Sequence, residues 1–347
     1  MPALKAAAAR AWVATLTIGH PFRPMSFPLP PPLKPQLAVS RKELPVGEQY
    51  LYEVKLDGFR CLAFVDGRES FLQSRTGKPL GRYFPELVLP PGSYVLDGEV
   101  VVRGSDGRED FDALGQRIHP AASRVQRLAV ETPARYVAFD LLARDGEALL
   151  ERPFVERRAL LEDLLAGGEF RRAPVELIEA TADAGKARQW LLSAEGAIAK
   201  ERSAPYRPGE RKGMAKIKRV RTIDAVVVGW RPGKEPDTVG ALILGLYGSA
   251  GENGGLRVVG HCSGFSAREK RRLVGFLKPF QTGERGSADP SRWSAGRELE
   301  WVALRPELVV EIDFDHVSAG RIRHGAKLRR WRDDKDPREC TFDQLSQ

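Results

Sequence analysis

Glu53-Val54-Lys55-Leu56-Asp57-Gly58-Phe59-Arg60 is the stretch from which the fold and chemistry of this 347-residue chain can be read outward. Short alternating runs, 50–56 and 60–65, flank the turn signal Asp57-Gly58, and 69–73 follows a second one at Asp66-Gly67. The pattern predicts strands joined by tight turns, with Lys55 at the end of the first. A lysine so placed is held rigidly, but its amine has a reference pKa of about 10.4. It becomes a nucleophile only where burial or neighbouring cations remove its proton. Arg60, Lys216 and Lys218 are the candidate cations, the last two sharing one strand face at i, i+2. The same cluster would neutralise a triphosphate. Read blandly, the segment is a hairpin turn between solvated basic residues.

Length and composition narrow the frame. At ~150 residues per domain, 347 residues imply two domains. Apolar residues make up 42% and charged residues 29%, the profile of a globular chain with real cores. No apolar run approaches the ~20 residues of a membrane span, which excludes an integral helical membrane protein. Cys61, Cys262 and Cys340 lie far apart, so neither a disulfide framework nor a CxxC zinc half-site exists, and a reducing, cytoplasmic setting is expected. The net charge of +9 is uneven: 200–235 holds eleven basic against four acidic residues. Such a field favours a polyanion, nucleic acid or a nucleoside triphosphate, as readily as it makes a solvated basic face.

Residues 1–44 differ from the rest. Lys5 and Arg10 precede a short apolar stretch broken by Thr15 and Thr17, a poor match to a targeting peptide. Pro28, Pro30, Pro31, Pro32 and Pro35 then predict an extended lead-in, so 1–44 is expected to be disordered or extended. Further strands are expected at 94–103, 136–144 and 175–180, with helices at 155–166 and at 183–194, the latter capped by Asp183. Past residue 222 the pattern changes to strands at 223–230, 239–247, 256–262, 308–316 and 327–331, with one helix at 267–276. Five strands and a helix suit a small Greek-key barrel of the oligonucleotide-binding (OB) type. The expected fold is therefore α+β, with a first domain over 45–222 and a β-barrel over 223–347.

Common catalytic signatures are missing. There is no GxxxxGK[ST] loop, no GxGxxG opening a helix and no HExxH. Lone histidines such as His119 and His261 are more often surface or core residues than ligands. The chemistry rests on Lys, Arg, Asp and Glu.

The Lys55-x-Asp57-Gly58-x-Arg60 segment resembles the adenylation motif of the covalent nucleotidyltransferases: ATP-dependent DNA ligases, RNA ligases and capping enzymes. The family's remaining motifs follow in order. Ser74-Arg75 resembles the one whose arginine contacts the nucleotide and the DNA end. Asp97-Gly98-Glu99 resembles the one whose glutamate holds the ribose. Phe139-Asp140 resembles the one whose aromatic stacks on adenine. Glu195-Gly196-Ala197-Ile198-Ala199-Lys200 resembles the metal-binding motif, and Lys216-Ile217-Lys218 the phosphate-gripping one. Arg332-Asp333-Asp334-Lys335 resembles the barrel motif that orients pyrophosphate. Tyr83-Phe84-Pro85-Glu86-Leu87, Tyr206-Arg207-Pro208-Gly209 and the 331–338 ending extend the likeness to the two-domain bacterial ligases of the C type and to the ligase module of end-joining enzymes. Two departures stand out. Met214-Ala215 replace the usual Trp-Leu, and Ala197 is smaller than usual, which predicts looser packing around the adenylate.

The resemblance implies an antiparallel adenylation domain followed by an OB-fold, and an enzyme that joins DNA strands through a lysyl-AMP. Lys55, Lys216 and Lys218 would be catalytic. Glu53, Arg60, Arg75, Glu99, Phe139, Lys200, Arg332 and Lys335 would bind ATP, with Glu53 reading the adenine amino group or merely balancing Lys55. Glu99 and Glu195 would hold Mg²⁺ or Mn²⁺. The implied partner is nicked double-stranded DNA, with a repair polymerase or end-binding protein as a further candidate, no membrane partner and a monomeric state. A hinge is expected at 219–222. An RNA ligase or capping-type transferase, and a binding scaffold with a dead site, remain open alternatives at this point.

Overall fold

The computed structural model describes residues 28–119, 121–248, 255–286, 300–315, 317–318, 320–322 and 325–346. The stretch weighed as a targeting peptide lies outside them. The chain divides into two compact units, one ending at Arg219 and the other beginning at Val220. No described helix is long and apolar enough to cross a membrane.

The first unit contains strands β1 (Val39–Ser40), β2 (Tyr50–Val54), β3 (Phe59–Gly67), β4 (Glu69–Ser74), β5 (Gly92–Val102), β6 (Ala134–Arg144), β7 (Glu147–Ala148), β8 (Val175–Leu177), β9 (Ala180–Thr181), β10 (Gly196–Glu201) and β11 (Met214–Lys218). They form two sheets. One runs β1-β11-β10-β2-β9, the other β4-β3-β5-β6-β7 with β8 beside β6. Within the second, β3 and β4 form the hairpin expected at Asp66-Gly67, with Asp66 opposite Glu69 and Gly67 at φ +62°.

Two expectations are corrected here. Asp57-Gly58 does not close a hairpin, because β2 and β3 belong to different sheets and the chain crosses between them at that point. Residue 58 must be glycine, since a Cβ there would stand 2.4 Å from the Val100 carbonyl oxygen. The run 175–180 is likewise two strands, one per sheet. Between them Ile178 is buried with Val101, Val137 and Phe139, and Val54 and Leu56 pack against this cluster. Its amide bonds to Ala138 O, and the amide of Val54 bonds to Glu179 O. Alternation alone does not reveal a strand that changes sheets, because each half keeps the same period.

Helices α1 (Phe111–Gln116), α2 (Ala122–Glu131), α3 (Phe154–Ala166) and α4 (Ala184–Ser193) flank the sheets. The Asp183 carboxylate caps α4 by accepting from the Gly185 amide. This helix buries Ala187 and Trp190 in one cluster with Tyr52, Ala197, Ala199, Ala215 and Ile217. The small Ala197 and Ala215 thus lie in a core beside a tryptophan and a tyrosine, while Met214 lines the cleft. Burial of each such large ring contributes about 2–3 kcal/mol. Neither α1 nor α2 was expected. The first spans only six residues, too short for a clear 3.6-residue repeat, whereas the second spans ten and buries Val125 and Leu128 at i, i+3 spacing, so its signal was present in the sequence.

The second unit contains β12 (Arg221–Pro232), β13 (Val239–Leu246), β14 (Arg257–Cys262), α5 (Ala267–Leu277), β15 (Gln281–Gly286), β16 (Trp301–Leu304), β17 (Val309–Phe314), β18 (Val317–Ser318), β19 (Arg321–Ile322) and β20 (Lys327–Trp331). Strand β12 pairs with both β13 and β17, β13 pairs with β14, and β17 pairs with β20. Ala326, just before β20, bridges Cys262 at the end of β14. This closes a barrel in the order β12-β13-β14-β20-β17, with α5 between the third and fourth strands, as an OB-fold requires. The five barrel strands and the helix are those expected. Strands β15 and β16 are an addition beside β12 that was not expected. A capping box formed by Ser266 and Glu269 starts α5.

Candidate active site

A cleft of about 270 Å³ opens in the first unit, and all its lining residues fall between 35 and 218. Lys55, Glu53, Lys200, Lys216 and Lys218 reach it from the first sheet and its edge. Arg60, Glu99 and Phe139 reach it from the second, with Arg75 following β4. The expected nucleophile, its cations and its carboxylates are therefore brought together by the crossing at Asp57-Gly58. Residues 35–38 of the proline-rich lead-in form one wall. They are held there by the Leu37 amide to Glu210 O at 2.8 Å and by β1, which pairs with β11 in parallel.

The Lys55 amide donates to Gly196 O at 3.0 Å, so the end of β2 is tied to the start of β10. Gly196 sits at φ +148°, and a Cβ on it would meet Ile217 O at 2.1 Å, so no other residue fits. The Lys55 Nζ lies 3.6 Å from Glu195 Oε1, and Lys218 Nζ lies 3.9 Å from the same oxygen. Glu195 thus stands between two cations of the cleft. Lys216 and Lys218 both line the cleft, while Ile217 between them is buried in the opposite core. Burial, and then the charges of Lys218, Lys55, Arg211 and Arg75, lower the pKa of Lys216. The same basic groups make this end of the cleft suited to phosphate.

Glu53 is buried and held by Lys200, whose Nζ lies 2.8 Å from Oε2 and 3.0 Å from Oε1. Arg158 approaches Oε1 at 3.6 Å. Glu53 therefore balances Lys200 rather than Lys55, even though it shares the cleft with both. Burial raises its pKa, while Lys200 and Arg158 oppose the rise. The third Lys200 contact is to Phe139 O at 3.0 Å.

Phe139 lines the cleft with only 8% of its surface exposed, and the Arg60 guanidinium lies 4.4 Å from its ring centre. Arg60 is itself gripped by Asp97, Nε to Oδ1 and Nη2 to Oδ2 each at 2.6 Å. Burial pushes the Glu99 carboxyl up to about 7, with Asp97 and Asp57 adding to the rise and Arg60 and Lys55 opposing it.

Several contributors were not among the expected site residues. Asp97 orients Arg60, Arg211 joins the basic end of the cleft, and Ile198 and Met214 add apolar wall. Arg157 on α3 pairs bidentately with buried Asp140, at 2.8 and 2.9 Å. The available signal was chemical: a buried charge requires a partner, yet these partners lie far apart in sequence. Arg332 and Lys335 belong to the second unit. Arg332 there bonds Asp224 at 2.9 and 3.0 Å and also Asp334, while Lys335 pairs with Glu339.

A two-sheet domain with a lysine in an anion-suited cleft, followed by an OB barrel, defines a nucleotidyltransferase architecture. Family models sharpen this: the ATP dependent DNA ligase domain matches residues 35–218, and its C terminal region matches 235–335. DNA ligase C1 of Mycolicibacterium smegmatis is 41% identical over 341 residues, which cover 92% of this chain and 96% of that protein. The multifunctional non-homologous end joining protein LigD of the same organism is 32% identical over 309 residues, covering 85% of this chain and 38% of that protein. A solved Lig E DNA ligase shares the fold, with a TM-score of 0.53 and 20% identity over 86% of this chain and 99% of that one. The chain belongs to the ATP-dependent DNA ligase family.

Proposed function

We propose that this ligase seals nicks between a 5′-phosphate and a 3′-hydroxyl in duplex DNA, with Lys55 as its covalent carrier of AMP. The observation that carries the reading is the placement of the Lys55 amine. It lies 3.6 Å from Glu195, in a cleft also lined by Lys216, Lys218, Arg75 and Arg211. The Lys55 amine attacks the α-phosphorus of ATP, a P–N bond forms, the P–O bond to pyrophosphate breaks, and the attacking nitrogen gives up a proton. The AMP then passes to the 5′-phosphate of the nick. The 3′-hydroxyl displaces AMP and the phosphodiester closes. In-line geometry sets nucleophile and leaving group on opposite sides of phosphorus. The basic residues hold the phosphates, and the apolar wall of Phe139, Ile178, Ile198 and Met214 accommodates the purine.

Glu99 and Glu195 fit a divalent cation, Mg²⁺ or Mn²⁺. Glu99 lines the cleft and Glu195 lies 3.6 Å from the Lys55 amine beside it, and Mg²⁺ takes one or two carboxylates together with substrate phosphates and water. Among the described residues no group of three or more His, Cys, Asp or Glu stands ready to hold a metal alone, so phosphate oxygens complete the set. When bound, the cation neutralises charge developing on the phosphate oxygens.

We assign the adenylation domain to 45–222 and the barrel to 223–347, with 219–222 as the hinge through which Arg332 and Lys335 would serve the pyrophosphate step. Duplex DNA would be held through its phosphates without base readout. We assign the protein to DNA repair in the cytoplasm, as a monomer working beside a repair polymerase or end-binding protein. The likeness to an end-joining ligase supports that setting. Incubation with α-labelled ATP and Mg²⁺ tests the central claim: label should stay on the wild type and be absent from Lys55→Ala. A labelled Lys55→Ala protein would refute the nucleophile.

A further inference from the structure

Tyr206 has no role in the chemistry above, yet its hydroxyl reaches the site. The ring is buried, 1% exposed, in an apolar cluster with Leu62, Phe64, Val95 and Leu142. A phenylalanine would fill that cluster equally well. The hydroxyl does more than pack: it donates to Asp97 Oδ2 at 2.6 Å and accepts from the Gln36 amide at 2.9 Å. Asp97, fully buried, uses both oxygens on Arg60 as well. Gln36 belongs to the 35–38 wall, and its carbonyl accepts from Arg60 Nη2 at 3.4 Å. One phenol therefore links the wall, the carboxylate and the guanidinium that lies over Phe139. Burial and the Asp97 charge hold its pKa well above the usual phenol value, so it remains a donor.

We propose that Tyr206 is a positioning residue for adenylyl transfer, its hydroxyl holding the Asp97–Arg60 pair and the 35–38 wall of the nucleotide cleft in one register. This rests on the cleft being the ATP site. Without the hydroxyl, the buried Gln36 amide loses its acceptor and Asp97 loses one of its donors. Both groups then relax, and Arg60 drifts over Phe139.

The test is lysyl-AMP formation against ATP concentration for wild type, Tyr206→Phe, Arg60→Ala and the double variant, with Lys55→Ala as reference. Tyr206→Phe should raise the half-saturating ATP concentration about tenfold, with a smaller change in maximal rate. Its effect should largely vanish in the Arg60→Ala background, because the two act through one pair. A role confined to packing would lower the melting temperature and leave the ATP dependence unchanged. Lys55-dependent label with an unaltered ATP dependence in Tyr206→Phe overturns this inference alone, as does an undiminished effect in the double variant. No label on the wild type overturns the reading of the cleft and this inference with it. Should Tyr206→Phe fail to fold, the near-isosteric Asp97→Asn is measured in its place. It should weaken ATP binding similarly, and unchanged binding overturns the proposal.

Discussion

Lys55 Nζ lies 3.6 Å from a Glu195 carboxylate oxygen, and the Lys55 amide bonds to the carbonyl of Gly196, the residue after Glu195. Side chain and backbone thus fix the nucleophile in one place. Glu195→Ala should slow lysyl-AMP formation by about 10²-fold. The fold should be less affected than the rate, since at 3.6 Å the ion pair is a loose one. Single-turnover labelling and a urea melt check the two halves of this statement.

Glu99 carries a pH signature. Burial pushes its carboxyl up to about 7, from an ordinary value of 4.5. The charged form is the costly one in the folded protein. Between about 4.5 and 7 the folded chain therefore keeps a proton that the unfolded chain has lost, and stability declines as pH rises through that window. Glu99→Gln should be more stable than wild type at pH 8 and indistinguishable from it near pH 4. In unfolding titrations, a wild type that gained on the variant as pH rose would contradict the assignment.

The same group predicts a rate profile. If the Glu99 carboxylate acts in the cleft, lysyl-AMP formation should fall as pH drops through about 7. Higher Mg²⁺ should move that step to lower pH, because a cation favours the charged form. A step unmoved by Mg²⁺ would place its origin elsewhere.

Arg117 and Glu86 should govern stability rather than chemistry. Arg117 is fully buried and bonds Glu86 at 2.6 and 2.9 Å, with the carbonyls of Tyr83 and Thr132 taking further bonds. Glu86→Gln leaves that guanidinium without its counter-charge and should cost about 3–5 kcal/mol. Urea unfolding measures the loss, while labelling by ATP at low temperature should persist in the folded fraction.

Gly58→Ala should harm both stability and chemistry. The added methyl would meet Val100 O at 2.4 Å and Glu99 Cγ at 2.7 Å, where the chain crosses between sheets. We expect a cost of about 1–3 kcal/mol and a drop of about 10²-fold in lysyl-AMP formation. Wild-type labelling by a folded Gly58→Ala protein would show that the crossing tolerates movement.

What the chain declares by itself is local. The i, i+2 spacing of Lys216 and Lys218, the Asp183 cap and the strand-helix-strand order of the barrel all follow from periods and turn residues within a few positions. The ordered motifs also single out Lys55, Arg60, Arg75, Glu99 and Phe139, all of which line one cleft. Tertiary structure decided the rest. That Asp57-Gly58 crosses between sheets, that Glu53 answers Lys200, and that Tyr206 joins Gln36 to Asp97 depend on residues as far as 170 positions apart. A buried charge or hydroxyl must find a partner, but sequence spacing carries no information about which one. Only the packing of two sheets against each other brings that partner within hydrogen-bonding reach.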